Sequence, residues 1–448
     1  MPAIGKILII FASVLILARI RIHLGLALAC GAIVLNLWAG LPIPQTLSNF
    51  GAALVSSEMW LIVATMAMII EIGRFMAEKQ NADEIVSATQ RWGGRHGRTA
   101  MLMSLPAIIG LIPMPGGALF SAPFVQHAAG DKEGEGQAAW KSAVNYWFRH
   151  VWEYWWPLYP GVVIAMAIFD MDAWKFVATQ FLYTPVALLA GWFFLVRPHV
   201  SQLSGSPGVI QGSNRRALFL LEPIAVAIIF LFVLPPFLDL YFPQIPGIAK
   251  HVRKIFALFV GIVMAVALIA EDQLRRRRAS ANNNTGDGPR TRLGLFSTLF
   301  TKQSLNVQYS VIGVLIFKSM LETSGLLPIA GSELTESRIS PVLVIALLPL
   351  LAGFVTGIAL GFAGASFPLV VGIMNTQGSG MTPSATLVLA YGFAYIGMML
   401  SPVHLCLLVT KDYFRSTVSA VYRMILPSIL VLLTYCIAAY TTLHILGW

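Results

Sequence analysis

The sequence predicts an all-α polytopic membrane protein of about ten transmembrane helices plus two re-entrant helical hairpins, set in two inverted repeats. Three observations predict it. Charged residues make up only 11% of the 448 positions, under half of the about 25% usual in a soluble domain. Apolar runs long enough to cross a bilayer recur from end to end. Two further apolar segments are interrupted near their middles by Gly and Pro, and the halves that hold them share residues at a fixed offset. No water-soluble catalytic domain fits between the runs, so the class expected is not an enzyme.

The first run, 4–18, leads into Arg19 and Arg21, and a second starts at Leu24. No small-residue cleavage site with polar sequence behind it follows, so both read as spans rather than a signal peptide. Placing basic loops in the cytoplasm orients the rest. Arg19 and Arg21, 74–98, Arg215 and Arg216, 275–292 and 411–415 fall inside; 41–57, 237–249 and 323–340 fall outside. Only Lys250, Arg253 and Lys254 sit against this rule. The spans expected are 4–18, 24–40, 59–76, 143–171, 175–196, 217–236, 252–270, 305–322, 384–409 and 420–443, with both termini outside.

A net charge of +10 raises the question of nucleic acid, but the basic residues lie in loops between apolar runs, as topology requires. The run 275–278 opens the longest polar loop, 271–303, whose 282–288 stretch reads as disordered. Cys30, Cys406 and Cys436 all lie inside apolar runs and read as buried and inert. Neither a disulfide framework nor metal-ligand spacing is present, and no cofactor is expected beyond Na+ or H+ as a coupling ion. A phosphate loop and a nucleophile elbow are also missing from the sequence.

The segments 100–129 and 341–375 are the interrupted ones. The first breaks at Ile-Pro-Met-Pro-Gly-Gly, 112–117, and the second at Thr-Gly-Ile-Ala-Leu-Gly, 356–361. Arms of about 12 residues give roughly 18 Å of helix against a hydrocarbon core near 30 Å, too short to cross. They can enter and return on one side, with a non-helical tip inside protein or beside water. A pair of kinked ordinary spans is the other reading.

Adding 245 carries Gly116 to Gly361, Ala118 to Ala363, Ser121 to Ser366, Pro123 to Pro368, Val125 to Val370, Tyr146 to Tyr391, Phe148 to Phe393 and Pro157 to Pro402. That exceeds what residue usage alone gives over so short a stretch. With five spans per half, an odd number, the repeats must be inverted. The domains expected are 1–200 for the first repeat, with hairpin 100–129 and broken helix 143–171, and 201–216 for a cytoplasmic linker. The second repeat is 217–448, with hairpin 341–375 and broken helix 384–409.

Paired interruptions at matching positions point to a transporter site at the repeat interface. Broken helices expose N–H groups that attract anions and carbonyls that coordinate cations. The candidates are Pro115, Gly116, Gly117 and Ser121 at the first tip and Gly357, Gly361 and Ser366 at the second. A serine in a membrane helix also commonly bonds its own preceding turn. On a helix, Tyr146, Arg149, His150, Glu153 and Pro157 share one stripe. Arg149 could draw an anion, and His150 or Glu153 could take a proton. A plain reading stands beside this one: an interfacial aromatic belt carrying an Arg149–Glu153 pair. Tyr391, Ser401 and His404 are the counterpart candidates, and Glu222, deep in its run, is a candidate proton carrier. Glu71 with Arg74, and Glu322, read as helix ends.

The Pro-Met-Pro-Gly-Gly-Ala tip and the Asn-Tyr-Trp-Phe-Arg-His-Val-Trp-Glu stretch, with Pro-Leu-Tyr-Pro-Gly behind it, resemble the domain-of-unknown-function 401 family of prokaryotic membrane proteins. The specific motifs occupy about 110–160. That family is grouped with the ion-transporter superfamily, which includes gluconate, lactate, citrate and dicarboxylate carriers. The resemblance implies the hairpin architecture, cation-coupled movement of a small organic anion, a homodimer and a location in the cytoplasmic (inner) membrane. Superfamily members hold substrate and sodium at Ser-Asn-Thr-like tips; here the tips carry Pro, Gly and Ala. The function expected is a secondary active transporter working by alternating access. The alternatives are an intramembrane lipid- or peptide-processing enzyme, with His150 and Glu153 as acid and base, and a channel or lipid translocator. The partners expected are the bilayer and the anion, not nucleic acid.

Overall fold

The computed structural model describes the chain except residues 79, 82, 86, 89–96, 113–116, 131–133, 204–214, 242–249, 283–300, 338 and 377–378. Pro115, Gly116 and most of the polar loop 271–303 therefore lie outside the described residues. The described chain is helical, with no strand among the described residues. Six helical stretches are long and apolar enough to cross a membrane: Ser57–Ala77, Ala173–Ser201, Leu218–Tyr241, Ile255–Arg275, Ser304–Thr323 and Val418–Ile445. The protein is a multi-pass helical membrane protein. The other four expected spans are helices that are shorter than 18 residues or broken.

The chain divides into two compact units. One comprises Ser57–Ala88 and Gly212–Tyr309. Its helices are α4 (Ser57–Ala77), α11 (Arg215–Tyr241) and α12 (Lys250–Asn282), with α12 packed on both others. Arg74 sits 2.6 Å from Glu71 and 3.8 Å from Glu78, so the α4 end carries its own ion pairs.

The second unit comprises Met1–Ser56, Thr89–Gln211 and Ser310–Trp448. It opens with α1 (Ala3–Arg19), α2 (Leu24–Trp38) and α3 (Ile43–Leu54). A helix pair follows, α5 (Gly97–Gly110) and α6 (Ala118–Ala129). Next come α7 (Glu135–Arg149), α8 (Pro160–Ile168), α9 (Ala173–Gln180) and α10 (Tyr183–Gly191). After α13 (Lys302–Thr323) and α14 (Leu326–Glu336), the order recurs as the pair α15 (Pro341–Thr356) and α16 (Ala359–Met374). Then come α17 (Pro383–Met399), α18 (Leu405–Phe414) and α19 (Val418–Ile445). Glu333 on α14 accepts from the Ala3 and Ile4 amides at 2.7 and 2.8 Å, filling the open N-terminal end of α1.

Element starts repeat at the same offset as the residue identities. Helices α4 and α13 begin at Ser57 and Lys302, α8 and α18 at Pro160 and Leu405, and α9 and α19 at Ala173 and Val418, each pair 245 apart. The second arm of each pair packs on the post-break helix of the other half: α6 on α18, and α16 on α8.

Two readings are corrected. Tyr146, Arg149, His150, Glu153 and Pro157 do not share one helical face, because α7 ends at Arg149 and 150–159 is turns until Pro160 restarts a helix. Cys30 is exposed on α2 rather than buried.

Candidate functional site

Helix α7 builds the site. Every residue from Ala139 to Arg149 is buried, polar ones included, so each polar side chain must find a partner inside the protein. Lys141 donates to Gly130 O (2.8 Å) and Gln126 Oε1 (3.1 Å) at the C-terminal end of α6, where a cation is favoured. Ser142 Oγ lies 2.7 Å from Ser416 Oγ, just past α18. Asn145 donates to Ala118 O (2.8 Å) and Thr410 Oγ1 (3.1 Å), and accepts from Ser121 Oγ at 2.6 Å. These bonds set the register of α7 against α6 and α18.

The segment that follows caps α5. Its last-turn carbonyls have no partner within their own helix. Arg149 donates to Gly110 O (3.3 Å) and Ile112 O (3.2 Å), Trp152 Nε1 to Ala107 O (2.8 Å), and Trp156 Nε1 to Leu111 O (3.0 Å). Tyr159 also donates to Gly110 O and accepts from Arg149 at 2.9 Å. Trp140, Trp147 and Trp155 donate to Leu195 O, Ala187 O and Thr184 Oγ1. All five indoles thus spend their N–H groups on protein acceptors.

Two breaks meet beyond α7 and α17. Carbonyls freed at 150–153 accept from Tyr395 (His150 O, 2.6 Å), Thr184 (Val151 O, 2.6 Å) and Tyr391 (Glu153 O, 2.7 Å). Those at the end of α17 accept from Tyr146 (Met399 O, 3.0 Å) and Tyr422 (Leu400 O, 2.7 Å). Tyr146 and Tyr391 are 245 apart, and each donates into the other half's break. Tyr391→Phe is expected to lower thermal stability by about 1–3 kcal/mol, since it leaves the Glu153 carbonyl buried without that donor. Tyr146→Phe should cost the same at Met399; thermal unfolding of the purified variants measures both.

Between the breaks lie Arg149 and His150 (each 1% exposed), His404 (6%) and Glu153 (8%). The Nε2 atoms of His150 and His404 are 3.1 Å apart. Glu153 Oε1 is 3.8 Å from His150 Nε2 and 4.0 Å from Arg149. Tyr146 packs edge-on against both imidazoles. Gly357 ends α15 with φ +65°, a conformation that favours glycine. A Cβ there would lie 2.9 Å from Ser401 Oγ and 3.0 Å from the His404 amide, so this turn seats against the second break.

Of the sequence candidates, Arg149, His150, Glu153, Tyr391 and His404 converge, with Gly357 and Ser401 beside them. Ser121 joins through Asn145, and Gly117 precedes α6. Ser366 bonds Phe362 O at 2.6 Å on its own helix, and Gly361 lies in the first turn of α16. Glu222 belongs to the other unit and is exposed on α11. Asn145, Tyr159, Tyr395, Thr410 and Cys406 were missed. Only Tyr395, one turn after Tyr391, and Cys406, two residues past His404, left any sequence signal.

A family model described as "Protein of unknown function (DUF401)" matches residues 3–270 and 287–443. The chain belongs to this family. No curated protein matches it. Among solved structures, the chain is similar to the Alcanivorax borkumensis YdaH transporter, whose crystal structure is described as revealing an unusual topology. Identity is 14%, coverage is 90% of this chain and 87% of that one, and the TM-score is 0.49. At that level the likeness carries neither fold nor function to this DUF401 protein.

Proposed function

We propose that this DUF401 protein is a secondary transporter that moves a small organic anion by alternating access, coupled to Na+ or H+. The observation that carries the reading is the meeting of two helix breaks in one buried polar centre, within halves whose elements start 245 residues apart. Interrupted helices at corresponding positions are the signature of a carrier site. Pairs α5–α6 and α15–α16 are the two re-entrant hairpins; arms of 12 to 16 residues support this, being short for a span. The repeats, 1–200 and 217–448 about the linker 201–216, are inverted.

Support for an anion comes from the N-terminal turns of α8 and α16, which abut: a Cβ at Gly161 would lie 2.6 Å from Ala359 Cβ. Two such ends bring the positive ends of two helix dipoles together. Gly117, Gly357 and Gly361 lie at the tips, Ser401 at the second break, and Ser121 and Ser366 on the second arms; Pro115 and Gly116, outside the described residues, are counted with them on the sequence alone. Arg149, Tyr391 and His404 hold the breaks in place. His150 and Glu153, and Glu222 in the other unit, are the proton acceptors when H+ drives the cycle. The carrier works as a homodimer in the cytoplasmic membrane of a prokaryote, termini outside, with hairpins and broken helices moving against the remaining spans.

The test is thermal stability of the purified protein across carboxylates and inorganic anions, in Na+ or K+ at two pH values. A ligand at about 100 times its Kd stabilises by about 2.7 kcal/mol. A Na+- or pH-dependent shift with one carboxylate class, followed by its uptake into proteoliposomes, is the expected result. No shift and no uptake under any condition would end the carrier reading.

A further inference from the structure

We infer that His150, His404 and Cys406 form a binding site for one transition-metal ion of the zinc class, held between the two helix breaks. The site goes beyond the transport reading and does not depend on it. All three residues are buried, and their ligand atoms lie within 4.8 Å of one another.

The imidazoles are already arranged as ligands. His150 Nδ1 lies 2.6 Å from Tyr146 O. A carbonyl can only accept, so Nδ1 carries the hydrogen and Nε2 keeps its lone pair. An Nδ1–H bonded to a backbone carbonyl is the outer-shell contact that orients a metal-bound histidine. His404 Nε2 lies 3.1 Å away. Two nitrogens on one tetrahedral ion at about 2.0–2.1 Å stand roughly 3.3 Å apart, so the two already stand near the separation an ion requires. His404 Nδ1 is buried without a hydrogen bond, so it is the nitrogen that carries the hydrogen once Nε2 binds the ion.

Cys406 supplies the third ligand. It sits in the first turn of α18, where the helix dipole favours a thiolate. Coordination releases the thiol proton to solvent. A closed site puts sulfur roughly 3.5 Å from each nitrogen, so loading draws Cys406 inward. The thiolate and the Glu153 carboxylate lower the positive charge that a divalent ion adds beside Arg149. Glu153 Oε1, 3.8 Å from His150 Nε2, is placed to be the fourth ligand or to hold a bound water. Two histidines with a thiolate select zinc, cobalt or copper over magnesium and calcium.

The experiment is a Co2+ titration of the full-length, chelator-stripped protein in detergent. The expected result is a near-ultraviolet thiolate-to-cobalt band with intense tetrahedral visible bands, saturating at one ion per chain and bleached by Zn2+. Cys406→Ser should lose the thiolate band and keep weaker binding. His404→Gln should weaken binding by more than the roughly 10–100-fold that loss of an outer-shell partner costs. Monodispersity on size exclusion separates this from misfolding. Wild-type protein with no thiolate band overturns the proposal, as does a band that survives in both variants. Neither outcome touches the carboxylate-dependent stabilisation on which the carrier reading stands or falls.

Discussion

Arg149→Met is expected to destabilise the protein by about 3–5 kcal/mol, the cost of removing one partner of a buried ion pair. The side chain is 1% exposed and joins three groups: the carbonyls of Gly110 and Ile112 at and just past the end of α5, the Tyr159 hydroxyl, and Glu153. Its loss leaves α5 without its main C-terminal cap and strands a buried carboxylate. Arg149→Lys should recover only part, because an ammonium lacks the planar fork that reaches both carbonyls. The double variant Arg149→Met/Glu153→Gln should be more stable than Arg149→Met alone, since the stranded charge is gone. Thermal unfolding in detergent measures all three. A double variant no better than the single would show that Glu153 is not paired with this guanidinium.

Gly353→Val is expected to cost at least about 1–3 kcal/mol through overpacking. On α15, a Cβ at Gly353 would fall on the carbonyl oxygen of Ala394 and 2.8 Å from the Met398 amide. Gly397 on α17 meets the Leu350 carbonyl in the same way from the other side. Small residues on facing helices let backbones touch, which is how helices pack where lipid offers no hydrophobic drive. Any side chain here pushes α15 away and lifts the Gly357 turn off Ser401 and His404. Gly353→Ala should fall between wild type and Val. Wild-type unfolding temperature in Gly353→Val would mean that the two backbones do not approach this closely.

Much of the fold was legible because it follows from local chemistry. Hydropathy marks helices that must satisfy their own backbone in lipid, and prolines mark where they stop. Pro157, Pro160 and Pro402 thus announced both interruptions. The site was legible only in part. Arg149, His150, Glu153 and Tyr391 stand out as polar or aromatic residues in an apolar setting. Helical spacing could not place them, because the helix ends at Arg149 and turns aim the rest. The partners of the tryptophans were not legible, because an indole near a span end has the same composition whether its N–H meets water or a carbonyl.

By itself, then, the sequence determined an all-helical multi-pass membrane protein, two proline-marked breaks, and a register of 245 residues between its halves. Each of these is a property of nearby residues or of a fixed offset. Only the tertiary structure decided that α5 is capped by side chains about 40 residues away, that each break is closed by a tyrosine from the other half, and that His150 meets His404 and Cys406. Those pairings join distant parts of the chain through buried polar groups. A buried donor accepts whichever partner packing brings within reach, and spacing along the chain does not encode that choice.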